Sequence, residues 1–243
     1  GRNGRPLVKS LHKMITVIQN YICTVEERKN VVLNNLPKLG KVFKDIPFYV
    51  NFNDTINLDV IHNSYKKNIQ NLNFYNNLEK DWALVTLSMV EEVKTPYLLY
   101  LCEDQVVHSS NNGLNNILNE IKKLDIDFVN LTKIKKYSRP TFNGYNEQDF
   151  GYSYLGKDSP TGRLSSDCIV KTEFWKDRLI EFIENKNNCP HRIPYPHNNI
   201  PNYFEGYYDH SIGIRRFKEL KCYIPKEPIF IEYNDILQKH TYA

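Results

Sequence analysis

Apolar and polar segments alternate at the start of the chain in a way that predicts strand, helix, strand. Residues 14–19, MITVIQ, form a short apolar run typical of a buried strand. Residues 24–39, TVEERKNVVLNNLPKL, carry apolar positions at helical spacing, and residues 46–54, IPFYVNFND, predict a second strand. A helix between two strands over about 40 residues is the βαβ unit, so a parallel sheet is expected.

The first predicted helix carries its own start and stop signals. Thr24 can cap the amino end, with Glu26 and Glu27 in the first turn. Pro37 is expected to end the helix, because proline lacks the N–H that the helix needs. The stripe expected to face the sheet consists of Val31, Val32, Leu33 and Leu36.

The same alternation continues through the middle of the chain. Residues 55–80 are polar, rich in Asn and without clear periodicity, so a long connection with one short helix or strand is expected. Residues 81–93 predict a helix that stops before Thr95-Pro96. Residues 97–106, YLLYLCEDQV, then predict one strand. A second amphipathic helix over 111–124 and a strand over 126–132 follow.

The remaining residues are less regular. Residues 133–163, rich in Gly, Tyr and Pro, predict loop or short antiparallel structure. A strand leading into a helix is expected over 164–184, a helix over 205–220 and strands over 221–233. No repeat or low-complexity linker divides the chain. We therefore expect one domain over 14–243, with a boundary between its two halves near residue 132, after an arm or cloning remnant at 1–13.

Composition narrows the class of protein. The 243 residues are 41% hydrophobic and 25% charged, which suits a soluble α/β domain. The net charge is +4 without a long basic run, so nucleic acid is not an expected partner. Five scattered cysteines without C-x-x-C argue against a disulfide scaffold and favour a reducing compartment. No apolar run or leader pattern predicts a membrane span or a signal peptide.

Two acidic residues stand near the carboxyl end of the predicted strand 97–106, directly after its apolar run. Glu103 and Asp104 stand where ligands bind in open α/β sheets, at the carboxyl end of a strand. Carboxylates there can hold a divalent cation on a diphosphate, bind ribose hydroxyls, or act as acid and base. The alternative is a solvated turn. Asp54 and Tyr21 follow the other two predicted strands, so polar groups are expected together at one edge.

The turn after the first strand excludes two phosphate-binding motifs. QNYICTVEE contains neither G-x-G-x-x-G nor G-x-x-x-x-G-K-[ST]. A diphosphate would then be held mainly by a metal ion and basic side chains. This arrangement is typical of enzymes that use nucleotide sugars.

The order MITVIQNY, TVEERKNVVLNNL, FYVNFND, YLLYLCEDQVV, LSSDCIVKTEFW, FEGYYDHSI and ILQKH resembles GT-A glycosyltransferases of the family-2-like kind. The resemblance implies a single GT-A (Rossmann-like) α/β domain with a mostly parallel central sheet flanked by helices. In that family an acidic motif on a strand tip binds the donor diphosphate through Mn²⁺ or Mg²⁺. The third position of the motif is usually acidic and is Gln105 here, so dependence on a metal stays open.

The resemblance also implies roles for individual residues. Tyr21 and Asp54 would line the base pocket, and Glu103 and Asp104 would meet ribose, metal or diphosphate. Asp104 would share the metal with Gln105 and His240. The remaining candidates for donor binding are Arg163, Ser165, Ser166 and Asp167.

Two further acids are candidates for the catalytic base. Glu205 and Asp209 lie one helical turn apart in FEGYYDHSI, so both could face one cleft and deprotonate the acceptor if the enzyme inverts configuration. Aromatic neighbours would raise a carboxyl pKa by desolvation. The alternative for either acid is helix N-terminal capping.

The expected function is therefore transfer of a sugar from a nucleoside-diphosphate sugar to a hydroxyl of a glycan or lipid-linked acceptor, as in surface polysaccharide or glycan synthesis. A lipid-linked acceptor would bring a cytoplasmic enzyme to the membrane surface as a peripheral protein. Two alternatives stay open, a sugar-phosphate nucleotidyltransferase and a non-catalytic carbohydrate-binding module of the same fold. Gln105 keeps the second alternative open.

Overall fold

A computed structural model describes eleven segments of the chain: residues 13–22, 26–53, 58–75, 81–103, 105–108, 111–131, 145–147, 152–155, 168–185, 222–225 and 229–232. The helices of these segments are α1 (Glu26–Val42), α2 (Leu58–Asn68), α3 (Trp82–Glu92), α4 (Asn111–Leu124) and α5 (Thr172–Asn185). The strands are β1 (Ile15–Ile22), β2 (Phe48–Asn53), β3 (Leu72–Phe74), β4 (Tyr97–Tyr100), β5 (Gln105–Val107), β6 (Phe128–Asn130), β7 (Tyr145–Glu147), β8 (Tyr152–Leu155), β9 (Cys168–Lys171), β10 (Cys222–Pro225) and β11 (Phe230–Glu232).

Nine of these strands form one mixed sheet in the order β3-β2-β1-β4-β9-β6-β10-β8-β7. Strands β3, β2, β1 and β4 run parallel to one another, as the βαβ pattern predicts. Strand β9 is antiparallel to both β4 and β6, and β8 is antiparallel to β10 and β7. The predicted single α/β domain with a central sheet and flanking helices is confirmed. Four adjacent parallel strands come from the half nearest the amino terminus, and β6 and β10 form a further parallel pair.

Helices cover both faces of the sheet. One core contains Val17 and Leu99 from the strands with residues of α1, α2 and α4. The other contains Ile18 and Leu98 with residues of α3 and α5. Neighbouring residues of a strand enter opposite cores because side chains alternate across the sheet. Strands buried on both faces explain the continuous apolar runs in the sequence.

The end of α1 differs from the prediction. Pro37 lies inside the helix, which continues to Val42. Leu39 beyond the proline is buried in the core with Leu36. Burial of this last turn outweighs the missing N–H of proline, which is the usual way tertiary packing overrides a local stop signal.

Residues 55–80 contain more regular structure than the expected connection. The described part of this stretch forms α2 and the short strand β3, which pairs with β2. Within α2 only Ile61 and Tyr65 are buried, one turn apart. Its other apolar residues, Leu58 and Val60, are exposed, so the sequence gives a weak periodic signal and the bounds of the helix could not be predicted from it.

The predicted strand 97–106 is two strands in different sheets. Strand β4 ends at Tyr100 in the main sheet, and β5 begins at Gln105 in a two-stranded sheet with β11. The two strands read as one run because both are apolar. The partner of β5 lies far away in sequence, where no local pattern can reveal it.

Helices α1 and α2 approach each other closely at Gly40. A Cβ atom built at this position would clash with the carbonyl oxygen of Asn68, at the end of α2. Real Cβ atoms do not approach a backbone oxygen this closely. Only glycine therefore allows the two helices to keep this separation.

Replacing Gly40 with Ala is expected to destabilise the protein, because α1 or α2 must shift to make room for the methyl group. Overpacking of this kind costs about 1–3 kcal/mol, against a gain of about 1 kcal/mol in helix propensity. Chemical denaturation of Gly40→Ala measures the change. Asn34→Ala, at an exposed position of the same helix, is the control and should be slightly stabilising. A Gly40→Ala protein at least as stable as the wild type would contradict the close approach.

Candidate functional site

The candidate site lies at the carboxyl ends of β1, β2 and β4, which meet at one edge because the three strands are parallel. Strand β1 runs past the end of β4: Ile18 lies opposite Tyr100, and its carbonyl accepts a hydrogen bond of 3.0 Å from the Leu101 N–H. The backbone of Tyr21 pairs with Phe52, one residue before the end of β2. The last residues of β1 therefore lie beside the segment that leads from Leu101 to Glu103, and the last residues of β2 lie next to those of β1.

Strand β9 brings a further part of the chain to this edge. Cys168 at its amino end pairs with Tyr100 at the carboxyl end of β4, because the two strands are antiparallel. Residues that directly precede β9 in the sequence are three of the predicted donor-binding candidates. The amino end of β9 and the carboxyl ends of the three parallel strands thus lie at the same edge of the sheet.

Glu103 is held by an ion pair. Its Oε1 lies 2.7 Å from Nη1 of Arg28, in the first part of α1. The Glu103 side chain is 16% exposed and that of Arg28 is 48% exposed. A carboxylate this far buried needs a partner, and the guanidinium supplies the charge and the hydrogen bond. Helix α1 thus holds the Glu103 carboxylate in place after the end of β4.

Gln105 occupies a different environment from the exposed tip that the sequence suggested. The residue is 5% exposed and begins β5, opposite Glu232 of β11. Its backbone carbonyl accepts a 2.7 Å hydrogen bond from Nδ2 of Asn35. Burial leaves little of this amide open to a ligand. Its role as a metal ligand stays a prediction.

Amide side chains are buried just below the edge. Nδ2 of Asn20 donates to the Trp82 carbonyl at 3.2 Å and to Oγ1 of Thr86 at 3.1 Å. Oδ1 of Asn20 accepts from Nδ2 of Asn51, at 3.2 Å. This network ties β1 and β2 to the first turn of α3, where Asp81 caps the helix. Its members lie in apolar surroundings, where each hydrogen bond fixes the geometry strongly.

On the opposite face of the sheet, the carboxyl end of β2 packs against aromatic side chains. Phe52 packs edge-on against His62 and Tyr65, and the His62 ring lies 3.7 Å from the Phe74 ring, centroid to centroid. Burial, and then the nearby charge of Lys66, lowers the pKa of His62. The lowered pKa favours the neutral imidazole, and this cluster supports the end of β2 by packing of its rings.

Most of the predicted site residues lie outside the described part of the chain. For Tyr21 the described structure is the backbone alone. Glu103 and Gln105 are described in full and flank the junction between β4 and β5. The candidates outside the described residues are Asp54, Asp104, Arg163, Ser165, Ser166, Asp167, Glu205, Asp209 and His240. Their roles stay predictions.

The described residues can be compared with what a metal ion needs. They contain no group of three or more His, Cys, Asp or Glu side chains that could hold an ion. A Mg²⁺ or Mn²⁺ ion bound with a diphosphate needs one or two carboxylates, because phosphate oxygens and water supply the other ligands. Glu103 is a described carboxylate at this edge, and the use of a metal stays a prediction. Within the described segments, no helix is long and apolar enough to cross a membrane.

The sequence patterns did not reveal the residues that support this edge from the core and from α1. Asn20 lies in an apolar strand, and Asn35 lies one turn after Val31 on the apolar stripe of α1. A polar residue on a buried stripe is the informative exception in a sequence, and it was available as a signal. Arg28 carried no such signal, because it reads as an ordinary exposed helix charge.

Comparison with known proteins supports the fold. No protein-family model matches the sequence, and no curated protein matches it. Staphylococcus aureus TarS 1–349 in complex with UDP superposes with a TM-score of 0.57 at 12% identity, over 89% of this chain and 59% of that chain. The Pyrobaculum calidifontis mannosyltransferase PcManGT, solved with GDP-Man and Mn²⁺, gives a TM-score of 0.50 at 11% identity, over 90% of this chain and 56% of that chain.

A nucleotide-handling enzyme of another class matches as well. The 4-diphosphocytidyl-2C-methyl-D-erythritol synthase from Anaerococcus prevotii has a TM-score of 0.53 at 14% identity, over 98% of this chain and 99% of that chain. The chain spans about three fifths of the TarS 1–349 structures it matches. The predicted GT-A fold is confirmed. At these identities the likeness shows the fold and does not distinguish glycosyl transfer from nucleotidyl transfer.

The buried amide network makes a prediction about stability. Asn20→Leu and Asn51→Leu are each expected to cost about 1–3 kcal/mol, because each leaves buried polar partners of the network with fewer hydrogen bonds. The double variant should lose less than the sum of the two, since the Asn20–Asn51 hydrogen bond is counted in both single changes. A double-mutant cycle by chemical denaturation measures the coupling. Strictly additive losses would show that the two amides act independently.

Proposed function

We propose that this chain is a glycosyltransferase that takes a sugar from a nucleoside-diphosphate donor and transfers it to a hydroxyl of a glycan or lipid-linked acceptor. The observation that carries the proposal is the position of Glu103. Its carboxylate is paired to Arg28 at the edge where β1, β2 and β4 end and β9 begins. Ligands of open α/β sheets bind at such an edge.

In this proposal the donor lies across the edge with its base toward β1 and β2. Tyr21 and Asp54 line the base pocket, while Glu103 and Asp104 meet the ribose and the diphosphate. Mn²⁺ or Mg²⁺ would be held by Asp104 and by donor phosphate oxygens, with Gln105 and His240 as further candidates, and would neutralise charge on the departing diphosphate. Ser165, Ser166 and Asp167 reach the same edge through β9, with Arg163 near the phosphates.

The chemistry of the solved neighbours supports this donor class. TarS has been solved with UDP-GlcNAc, and PcManGT with GDP-Man and Mn²⁺. In this chain Glu205 or Asp209 takes the proton of the acceptor hydroxyl if configuration is inverted. A lipid-linked acceptor would place the reaction at a cytoplasmic membrane surface, with the protein bound there peripherally.

The second candidate function is a nucleotidyltransferase that joins a nucleoside triphosphate to a sugar phosphate. The likeness to the diphosphocytidyl-methylerythritol synthase favours it. Such an enzyme would need a Gly-rich, basic loop after β1 to hold the triphosphate. Here β1 ends at Ile22 and α1 begins at Glu26, which leaves residues 23–25 as the connection. Glu26 and Glu27 occupy the first turn of α1, where a phosphate would otherwise bind, so we rank this function second.

The proposal is tested by supplying a panel of UDP-, GDP- and dTDP-sugars with Mn²⁺ and measuring release of the nucleoside diphosphate. The wild type should turn over at least one donor. Asp104→Asn should lower kcat/KM by 10²-fold or more, because a charge that meets the metal and diphosphate is lost. Asp209→Asn should lower kcat with little change in donor affinity if Asp209 is the base. Asp59→Asn, on an exposed turn of α2, is the matched control and should leave the rate unchanged.

Two outcomes would overturn the proposed function, and a third would overturn the assignment of its residues. Release of pyrophosphate from a nucleoside triphosphate and a sugar 1-phosphate, without turnover of any nucleotide sugar, would establish the nucleotidyltransferase. Calorimetry that detects no binding of UDP, GDP or dTDP, with or without Mn²⁺, would favour the non-catalytic carbohydrate-binding module. Wild-type rates in both Asp104→Asn and Asp209→Asn would place the chemistry elsewhere in the protein.

A further inference from the structure

Asn35 is an unusual residue for its position. It lies in the interior of α1, where asparagine is a weak helix former, and it is 4% exposed on the side that packs against the core. Its neighbours on that side are Val31, Val32 and Leu39. A buried amide in such surroundings is costly unless both of its polar ends are hydrogen-bonded. The two bonds that Asn35 makes therefore indicate what the residue does.

Both bonds go to the backbone of β5. Nδ2 of Asn35 donates to the Gln105 carbonyl at 2.7 Å, and Oδ1 accepts from the Val107 N–H at 2.9 Å. On the other edge β5 pairs with β11, and the His108 N–H donates to the Ile229 carbonyl. In an antiparallel pair alternate residues turn their backbone groups to opposite sides. The amide of Asn35 thus occupies the second edge of β5 and takes the place of a strand.

The same helix contacts the other end of the junction. Arg28, seven residues before Asn35, is ion-paired with Glu103. Seven residues are about two helical turns, so both side chains project from one side of α1. Arg28 holds the residue before position 104, and Asn35 holds the residue after it. Helix α1 therefore contacts the chain on both sides of position 104.

We propose that Asn35 is a positioning residue of the donor site, which sets the acidic β4–β5 junction by holding the backbone of Gln105 and Val107. The inference rests on the proposed function, because it assigns the junction to donor binding. Asn35 is buried and would act through β5, without touching donor or metal itself. Without it, two buried backbone groups of β5 lose their partner, and the strand must move to reach water or another group. Glu103, two residues before β5, would then no longer be held in one position relative to a bound diphosphate.

A change in stability alone would not demonstrate this role, so the test compares variants at matched stability. Asn35→Ala removes both hydrogen bonds. Leu39→Ala, one turn further along α1, removes core packing and leaves the contacts to β5 intact. Both proteins are measured well below their unfolding transitions. The readouts are UDP and GDP binding by calorimetry with Mn²⁺, kcat and KM for the donor, and hydrogen exchange at the Val107 amide.

The expected result separates the two variants. Asn35→Ala should bind the nucleoside diphosphate at least tenfold more weakly and exchange the Val107 amide faster. Leu39→Ala should bind with wild-type affinity. Equal nucleotide affinity in both variants and the wild type would overturn the inference, while wild-type turnover would still uphold the proposed function. If the wild type binds no nucleotide, the proposed function is overturned. If in that case only Asn35→Ala exchanges the Val107 amide faster, Asn35 has a purely structural role.

Asn35→Asp supplies a rescue by pH. As a carboxylate, the new side chain can still accept from Val107, but it sets a negative oxygen against the Gln105 carbonyl. As a neutral carboxylic acid it can donate to Gln105 and accept from Val107, as the amide does. Affinity for nucleotide, taken relative to the wild type at each pH, should therefore rise as the pH falls from 8 to 5. A flat ratio across this range would contradict a role that depends on both hydrogen bonds.

Discussion

After Tyr100 the chain leaves the main sheet, and its backbone N–H and C=O groups need new partners. A buried backbone group without a hydrogen bond costs about 1–3 kcal/mol, so the chain can turn away from β4 only where partners are already in place. Strand β11 supplies one edge of β5, and the Asn35 amide supplies the other. These partners fix where β5 begins, and the Arg28–Glu103 ion pair holds the chain just before it.

The same requirement explains the polar residues inside the parallel part of the sheet. Gln19 accepts a hydrogen bond from the Tyr65 hydroxyl on one face, and Asn20 binds Trp82 and Thr86 on the other. Apolar packing alone would tolerate a small slide of α2 or α3 over the sheet. Paired amides and hydroxyls allow one arrangement, since any slide would leave buried polar groups without partners. The carboxyl edge is therefore fixed from both layers just below the place where a ligand would lie.

Sequence patterns predicted the parts of the fold whose signals are local. The alternation of β1, α1 and β2 was recognisable because long apolar stripes recur at strand and helix spacing, and α4 and α5 followed the same rule. Helix α2 was missed because only Ile61 and Tyr65 face the core. Pro37 misled because the burial of Leu39 depends on packing, which a local stop signal does not report. The division of residues 97–106 was invisible because β11, the partner of β5, follows more than a hundred residues later.

The candidate site shows the same division between local and distant information. Glu103 was found because an acid at the end of an apolar run is unusual within a few residues of sequence. Arg28 and Asn35 were not found, because their partners lie 75 and 70 residues away. A site at a sheet edge is thus assembled from acids that a local pattern reveals and from supports that only the folded chain brings together. Since those supports bind backbone or a single carboxylate, they constrain few other side chains, and a fold can keep such an edge while its sequence changes almost completely.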